Sequence, residues 1–416
     1  MNSRMQTLPF TSRTRCWLHL CLALLCLHGG VLSAADDEKP ENRRLNQLNR
    51  AEIDDGWISL FDGHSMFGWK ANNTSVNWQI KDGIVWADAG DPGLLVTTTE
   101  FNHFELKCDF RLSKGGNSGV FLRSLFTPKD PAVDCYELNV CDSHPGFPTG
   151  SLVGVVKADT PSVGEGEWKT FHVRVEGSLV QVKLDGKTVL DYTEKRPNVR
   201  QRGFIGLQKN AGKAEYRNIF LKPLVMASRF NRENLSGWTV VPGSKSQFTA
   251  EEETIRIKNG PGFLYSAGSG YKDFVFQTQV KTNGKGLNSG IFFRSMPPTE
   301  KAPSNGYELQ IQNGFKDDDR TKPADFGTGA IYRRVPARRV VSNDFEWFNV
   351  TLVAVGAHFS VWVDGEMVTD WTDDRKPDEN PRKGLRTDYG PFILQGHDPT
   401  TDVQFRKMFA GEYLLK

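Results

Sequence analysis

Two glutamates and two arginines recur at one fixed spacing, and their side chains suit proton transfer. Arg123 precedes Glu137, and Arg294 precedes Glu308 a further 171 residues along the chain in both cases. A carboxylate can act as a general base, and a nearby guanidinium can stabilise the negative charge that develops. The alternative without catalysis is a structural Glu–Arg pair across two strands on the solvent-exposed face of an antiparallel sheet.

The residues around these side chains are repeated as well. Residues 117–124 read NSGVFLRS and residues 288–295 read NSGIFFRS. Residues 136–140 read YELNV and residues 307–311 read YELQI. Two motifs that recur at one offset indicate a tandem duplication.

The motifs have the period of β-strands, in which alternate side chains point to opposite faces. In residues 136–140 the apolar side chains alternate with Glu137 and Asn139, so the two polar residues share a face. The second copy has the same alternation. The side chains expected on this polar face, or where its strand ends, are Arg123, Glu137, Asn139 and His144 in the first copy and Arg294, Glu308 and Gln310 in the second.

The remaining chain predicts an all-β protein of two tandem β-sandwich, or jelly-roll, domains. Residues 104–112 alternate between apolar and polar, and Asp-Gly pairs at 185–186 and 364–365 indicate hairpins. Helical periodicity is scarce, and each repeat of about 170 residues can bury its own core. We expect the domains at residues 56–224 and 225–416. The growing offset between the copies predicts insertions near residues 316–320 and 373–388.

The N-terminus predicts export. Arginines precede a short apolar run in residues 16–27, and small residues follow at 33–35, as in a secretory signal peptide. We therefore expect a signal peptide at 1–35, a flexible leader at 36–55, and a secreted or periplasmic protein with no transmembrane segment once the signal is removed.

Composition excludes other roles. The whole chain has a net charge of +2, and removal of residues 1–34, which hold three arginines and no acid, leaves a mature charge near −1. This balance argues against nucleic-acid binding. Cys108, Cys135 and Cys141 remain in the mature chain, which leaves one disulfide involving Cys108 as an open question.

With these motifs the chain resembles the 3-keto-disaccharide hydrolase domain family, a concanavalin-like jelly roll, in two copies. The resemblance covers most of the mature chain. The matching segments are 60–63, 68–69, 117–123, 136–137, 149–152 and 167–168 in the first copy, and 288–294, 307–310, 328–332 and 346–347 in the second.

The resemblance implies cleavage of glycosides already oxidised at C3. Loss of the C2 proton gives an enolate that expels the glycosidic oxygen, and water then adds, so that the net reaction is hydrolysis. The implied base is Glu137 or Glu308, with His144 or a metal-bound water as alternatives, and the implied oxyanion stabiliser is Arg123 or Arg294. A divalent metal is left open as a cofactor.

The resemblance also implies a sugar-binding set. Its members are Asn139, Asp142, Gln310, Asn313 and Tyr332. The family pattern Glu-x-Gln-x-x-Asp is altered in both copies, since Asn139 replaces the Gln in one and Asn313 replaces the Asp in the other. The alternative function is a non-catalytic, lectin-like carbohydrate-binding protein of the same fold.

Overall fold

The strand Phe104–Leu112 shows how alternation in the sequence becomes a sandwich. Phe104, Leu106, Cys108, Phe110 and Leu112 are buried, and the residues between them are partly exposed. The computed structural model describes residues 44–160, 164–197, 200–268 and 270–413. The expected signal peptide therefore lies outside the described residues.

The first sandwich contains an eight-stranded and a five-stranded antiparallel sheet. The larger sheet has the order β11-β10-β9-β6-β13-β4-β3, with β1 also pairing β13, and the smaller has the order β2-β5-β12-β7-β8. The strands are β1 Ile58–Ser59, β2 Trp69–Ala71, β3 Gln79–Lys81, β4 Ile84–Ala87, β5 Gly93–Thr97, β6 Phe104–Leu112, β7 Ser118–Ser124, β8 Tyr136–Val140, β9 Lys169–Glu176, β10 Leu179–Leu184, β11 Lys187–Thr193, β12 Phe204–Lys209 and β13 Ala214–Pro223.

The second sandwich repeats this pair of sheets. The larger sheet has the order β16-β17-β28-β19-β24-β25-β26, with β14 also pairing β28, and the smaller has the order β15-β18-β27-β20-β21. The strands are β14 Ala227–Ser228, β15 Trp238–Val240, β16 Gln247–Glu251, β17 Thr254–Lys258, β18 Gly262–Ser266, β19 Phe274–Thr282, β20 Ser289–Phe293, β21 Tyr307–Ile311, β22 Phe315–Lys316, β23 Asp319–Pro323, β24 Phe348–Val355, β25 His358–Val363, β26 Glu366–Thr372, β27 Ile393–Gly396 and β28 Asp402–Glu412.

The two sandwiches are in contact through buried side chains. Trp362 of β25 is 1% exposed, packs near Phe101 of the first sandwich, and donates its indole N–H to the Ser59 carbonyl at 2.9 Å. Thr99 and Ser360 share a hydrogen bond of 2.6 Å across the same contact. The first core therefore continues into the outer face of the larger sheet of the second sandwich.

A short helix, α1 Arg50–Asp54, contacts both sandwiches. Asn49 and Glu52 form a capping box at its start. Glu52 forms an ion pair with Lys107 of the first sandwich at 3.0 Å, and Arg50 forms one with Asp364 of the second at 3.1 Å. Part of the segment expected to be a flexible leader thus makes specific contacts in the structure.

The all-β prediction of two β-sandwiches is confirmed. The β22–β23 hairpin occupies the site of the first expected insertion, and the long connection between β26 and β27 occupies the second. Cys108, Cys135 and Cys141 are buried free thiols, so the disulfide considered for Cys108 is not formed. No helix within the described ranges has the length and apolar character needed to cross a bilayer.

Candidate functional site

Glu137 and Glu308 occupy equivalent positions on the outer faces of the smaller sheets. Each lies on the edge strand, β8 or β21, whose alternate residues point into the core. Glu137 pairs with Phe121 and Glu308 pairs with Phe292 on the neighbouring strand. The strand alternation read from the sequence therefore places both carboxyl groups on the side away from the core.

The glycine of each Asn-Ser-Gly motif makes room for the carboxyl group. A Cβ atom on Gly290 would lie 2.9 Å from Oε1 of Glu308 and 3.3 Å from Oε1 of Gln395. A Cβ on Gly119 would lie 3.4 Å from Cγ of Glu137. The missing side chain therefore leaves a hollow in which the Glu308 carboxyl group and the Gln395 carboxamide approach each other.

The serine of the same motif holds the strand that carries the glutamine. Ser289 donates to the backbone carbonyl of Gln395 at 2.7 Å, and Ser118 donates to that of Gln208 at 2.5 Å. Gln208 in turn donates its amide to Glu137 at 3.3 Å. Oε1 of Gln395 is buried and accepts no hydrogen bond from the described residues, so it can accept one from a protonated Glu308 or from a ligand hydroxyl.

Burial raises the pKa of both glutamates above the usual value of a carboxyl group. Burial raises the pKa of Glu137 to about 6, opposed by the hydrogen bond from Gln208. Burial raises the pKa of Glu308 to about 7, opposed by the nearby positive charges of Arg382 and His397. A carboxyl group with a pKa close to neutral is suited to general base catalysis, because it is available as carboxylate and still basic enough to accept a proton.

Arg382 reaches Glu308 from the long connection between β26 and β27. Its Nη2 lies 3.3 Å from Oε2 of Glu308, its Nε donates to the Ser304 carbonyl at 3.0 Å, and its guanidinium stands 5.4 Å from the Phe292 ring centroid. This connection supplies the second copy with a cation beside its carboxyl group. The first copy has the neutral Gln208 at Glu137 instead.

The connection is tied back to the strand that carries Glu308. Asp373 accepts a hydrogen bond from the Tyr307 hydroxyl at 2.7 Å and forms an ion pair with Arg375 at 2.7 Å. The same hydroxyl accepts the backbone N–H of Arg386 at 2.9 Å. Both ends of the connection are therefore anchored on Tyr307, next to Glu308.

A small cavity of about 110 Å³ opens beside Glu308. Tyr332, predicted to bind substrate, lines it and donates its backbone N–H to the Glu308 carbonyl at 2.8 Å. Arg333, Arg334 and Arg382 also line the cavity, and Arg334 donates to the Arg382 carbonyl at 2.7 Å. Three arginines and a tyrosine thus line the cavity beside this carboxyl group, and Arg382 contacts it directly.

Arg123 and Arg294 do not lie on this outer face. Both side chains are 0% exposed, and both residues have positive φ, 49° and 45°. Side-chain alternation holds only for extended backbone, so a left-handed residue at the end of the strand turns its side chain away from the expected face. The expected role of these arginines beside a substrate oxyanion therefore has no support in their position.

Arg123 instead clamps two turns of the first sandwich. It donates to the Asn102 carbonyl and the Gly177 carbonyl, each at 2.8 Å, and its Nη2 lies 3.3 Å from Nδ1 of His103. Burial lowers the pKa of Arg123 to about 10. Burial, followed by the positive charge of Arg123, lowers the pKa of His103.

Arg294 makes the same clamp in the second sandwich. It donates to the Lys272 carbonyl at 2.7 Å and the Gly356 carbonyl at 2.5 Å, and it forms an ion pair with Asp273 at 3.1 Å. Asp273 also pairs with Arg202 of the first sandwich at 2.7 Å. Burial lowers the pKa of Arg294 to about 10.

Asp142 and Asn313 hold the Thr-Gly turn rather than facing the hollow. Thr149 donates to Asp142 at 2.5 Å, and Thr328 donates to Oδ1 of Asn313 at 2.6 Å. Because the contact needs only a hydrogen-bond acceptor from this side chain, either residue can fill the position. The Asp-to-Asn difference between the copies therefore leaves this turn contact in place.

The other predicted residues have mixed positions. Asn139 is 1% exposed and donates to the Phe147 carbonyl. His144 is partly exposed, and its Nδ1 accepts the Phe147 backbone N–H at 2.9 Å. Gln310 is 1% exposed and donates to Asp325 at 3.0 Å, while its Oε1 is buried without a partner among the described residues. Of these three, Gln310 alone brings an unpaired buried oxygen to the outer face.

The described residues contain no group of three or more His, Cys, Asp and Glu side chains arranged to hold a metal ion. The cation that the structure places beside Glu308 is the guanidinium of Arg382. No sequence motif pointed to Arg382, Gln208 or Gln395 as site residues. The two glutamines lie in matched strands of the two copies, which was a usable signal, whereas Arg382 lies in an insertion with no counterpart to compare.

Fold and site together define a tandem β-sandwich protein whose smaller sheets each carry a carboxyl group of raised pKa. A family described as the 3-keto-alpha-glucoside-1,2-lyase-like domain matches residues 56–222 and again residues 226–409. These segments span most of the chain, which therefore belongs to this family. Membership confirms the resemblance read from the motifs and implies a carbohydrate substrate.

Individual proteins show more distant similarity. The chain is 27% identical over 280 residues to a 3-keto-disaccharide hydrolase of Bacteroides thetaiotaomicron, which covers 48% of this chain and 96% of that protein. A proposed glycosyl hydrolase from Parabacteroides distasonis is 22% identical, with a TM-score of 0.39, and covers 44% of this chain and 100% of its own. A carbohydrate-binding module from Bacillus subtilis is 18% identical, with a TM-score of 0.31, and covers 37% of this chain and 95% of its own.

The clamps predict a large loss of stability on truncation. Arg123→Ala and Arg294→Ala should each lower the free energy of unfolding by about 3–5 kcal/mol, because buried carbonyls, and Asp273 in the second case, lose their partner. Lysine at either position should not restore the lost stability, since its ammonium group lacks the planar set of hydrogen-bond donors of a guanidinium group. Urea denaturation measures the effect, with the exposed Arg333→Ala as control. A loss no larger than that of the control would contradict the clamp.

Proposed function

We propose that the second sandwich cleaves glycosides oxidised at C3, with Glu308 as the general base. One observation carries the proposal: a buried carboxyl group with a pKa raised to about 7 faces a cavity and has a guanidinium 3.3 Å away. Family membership supports a carbohydrate substrate, and the name of the Bacteroides relative supports a 3-keto-disaccharide.

The chemistry follows from the ketone. A carbonyl at C3 acidifies the C2 hydrogen, and the Glu308 carboxylate takes that proton while the electron pair moves into an enolate with its charge on the C3 oxygen. The enolate then reforms the ketone and breaks the C1–O bond, which leaves a C1=C2 double bond. The departing oxygen takes up a proton, and addition of water across C1=C2 completes a net hydrolysis.

The guanidinium groups supply the electrostatic part of the mechanism. Arg382 and Arg334 lie at the cavity beside Glu308, where a cation can stabilise negative charge on the C3 oxygen. Arg382 also lowers the pKa of Glu308, which on its own would weaken the base. Burial outweighs this effect, because the pKa still lies well above the usual value.

The first sandwich has a weaker case for catalysis. Burial raises the pKa of Glu137 only to about 6, and the neighbour that the structure gives it is the neutral amide of Gln208. No cation among the described residues forms an ion pair with Glu137, so an enolate there would lack the stabilising charge that Arg382 offers at Glu308. We therefore assign turnover to Glu308 and leave sugar binding without chemistry as the alternative for the first copy.

Glu308→Gln should abolish turnover, because glutamine keeps the size and a hydrogen bond but cannot accept the proton. Removal of a general base typically costs about 10²–10⁴-fold in rate. The measurement is cleavage of a 3-keto-glucoside, with the parent glycoside as a substrate control and Glu137→Gln as the matched variant. Wild-type rates in Glu308→Gln would refute the assignment, and binding without cleavage by the wild type would favour the lectin-like alternative.

The pH profile provides a second test. Because the carboxylate is the active form, kcat/KM should rise with pH through a value of about 7 and level off above it. Arg382→Gln removes a charge that favours the carboxylate, so it should move this rise to higher pH as well as lower the plateau. A rise near the ordinary carboxyl pKa, or no shift in Arg382→Gln, would show that another group is the base.

We infer that the protein acts after export, supported by the basic start, the short apolar run and the small residues before residue 36. Cleavage should follow Ala34 or Ala35. Mass spectrometry of the mature protein checks this, and a mature chain that retains residues 1–30 would contradict it.

A further inference from the structure

A groove of about 360 Å³ lies where the smaller sheet of the first sandwich meets the larger sheet of the second. Lys70, Phe126 and Phe204 line it from the first sandwich, and His358 and Trp371 line it from the second. It is separate from the face proposed for catalysis, because Glu308 lies on the smaller sheet of the second sandwich, whereas His358 and Trp371 lie on the larger one. On its other side, Phe204 belongs to the smaller sheet of the first sandwich, which also carries Glu137.

Three aromatic rings in the groove are held in place yet remain partly exposed. Phe126 and Phe204 meet edge to face with centroids 6.2 Å apart, and both pack on a buried apolar cluster that includes Phe121. Trp371 stacks on Phe359 at 5.6 Å. Rings that are already ordered lose little conformational freedom when a ligand packs on them.

Polar groups at the groove are also fixed in position. Asp370 lies 2.9 Å from Nε2 of His358 and accepts the Thr98 hydroxyl at 2.8 Å. Nδ1 of His358 shares a hydrogen bond of 2.9 Å with Thr372, and the Lys70 ammonium stands 5.9 Å from the Phe126 ring centroid. The groove thus combines one carboxylate, one ammonium, hydroxyls and an imidazole, with little net charge.

This combination matches the surface of a sugar. The C–H face of a pyranose packs on aromatic rings, and its hydroxyl groups need both donors and acceptors at the ring edge. The balance of charge at the groove favours an uncharged ligand over an acidic one.

We propose that this groove is a binding site for a neutral saccharide, built jointly by the two sandwiches. It is a second carbohydrate site, distinct from the one at Glu308, and it does not depend on Glu308 acting as a base. The ligand class is a neutral oligosaccharide, since the groove is open to solvent on the outside of both sandwiches and can take part of a longer chain.

The test is calorimetric titration of maltotetraose and cellotetraose into the Glu308→Gln protein, in which the proposed turnover is absent. At least one of the two should bind, and Phe204→Ala and Trp371→Ala should each weaken that binding by about 2- to 10-fold, because each removes an aromatic contact. Phe345→Ala is the matched control, since Phe345 is an aromatic residue 53% exposed elsewhere on the second sandwich. It should bind as tightly as the parent.

Stability and charge controls complete the test. Thermal melting shows whether the aromatic variants remain folded. If either variant is unfolded, Lys70→Ala replaces it as the test of the groove. Lys70 is exposed and lies outside both cores, so this substitution should leave the fold intact and still weaken binding. Unchanged affinity in the folded groove variants, no binding of either neutral tetrasaccharide, or tighter binding of tetragalacturonate would each overturn the proposal. Because binding is read without turnover, its failure is distinct from a failure of the proposed function.

Discussion

Each sandwich depends on a guanidinium group buried against backbone carbonyls. Arg123 and Arg294 are fully buried, and each joins the turn before one strand of the larger sheet to a turn between two others. Burying a cation is costly, so the arrangement holds only because carbonyl oxygens, and Asp273 in the second copy, satisfy its donors. The clamp lies at the end of the strand that pairs with the glutamate strand, and it therefore helps to set the geometry of the outer face.

The two copies share this framework and differ in what covers it. In the second copy the connection between β26 and β27 is anchored on Tyr307 and brings Arg382 over Phe292 to Glu308. The same covering buries Glu308 to 6% exposure and raises its pKa despite the new cation. One insertion thus supplies both features that a base needs at this position, a raised pKa and a nearby positive charge. The two copies thus share their sheets and differ, through a loop, in the surroundings of the equivalent carboxyl group.

The contact between the sandwiches creates surfaces that neither copy has alone. Trp362 of the second sandwich completes the packing around Phe101 of the first, and Thr99 bonds to Ser360 across the contact. Helix α1 pairs with both sides through Glu52 and Arg50. Because these contacts are buried and specific, side chains of the two copies are held at fixed separations around the groove between them.

The all-β class, the duplication, and the placement of Glu137 and Glu308 on an outer face follow from the amino-acid sequence, because a period of two is a local property of the chain. The three-dimensional fold set the direction of the Arg123 and Arg294 side chains, since the positive φ of these residues interrupts that period. It also decided the partner of Glu308, because Arg382 follows it by 74 residues in a connection without periodicity. Contacts of this kind depend on the path of a loop and on the residues that the loop buries. Neither can be predicted from a local sequence pattern.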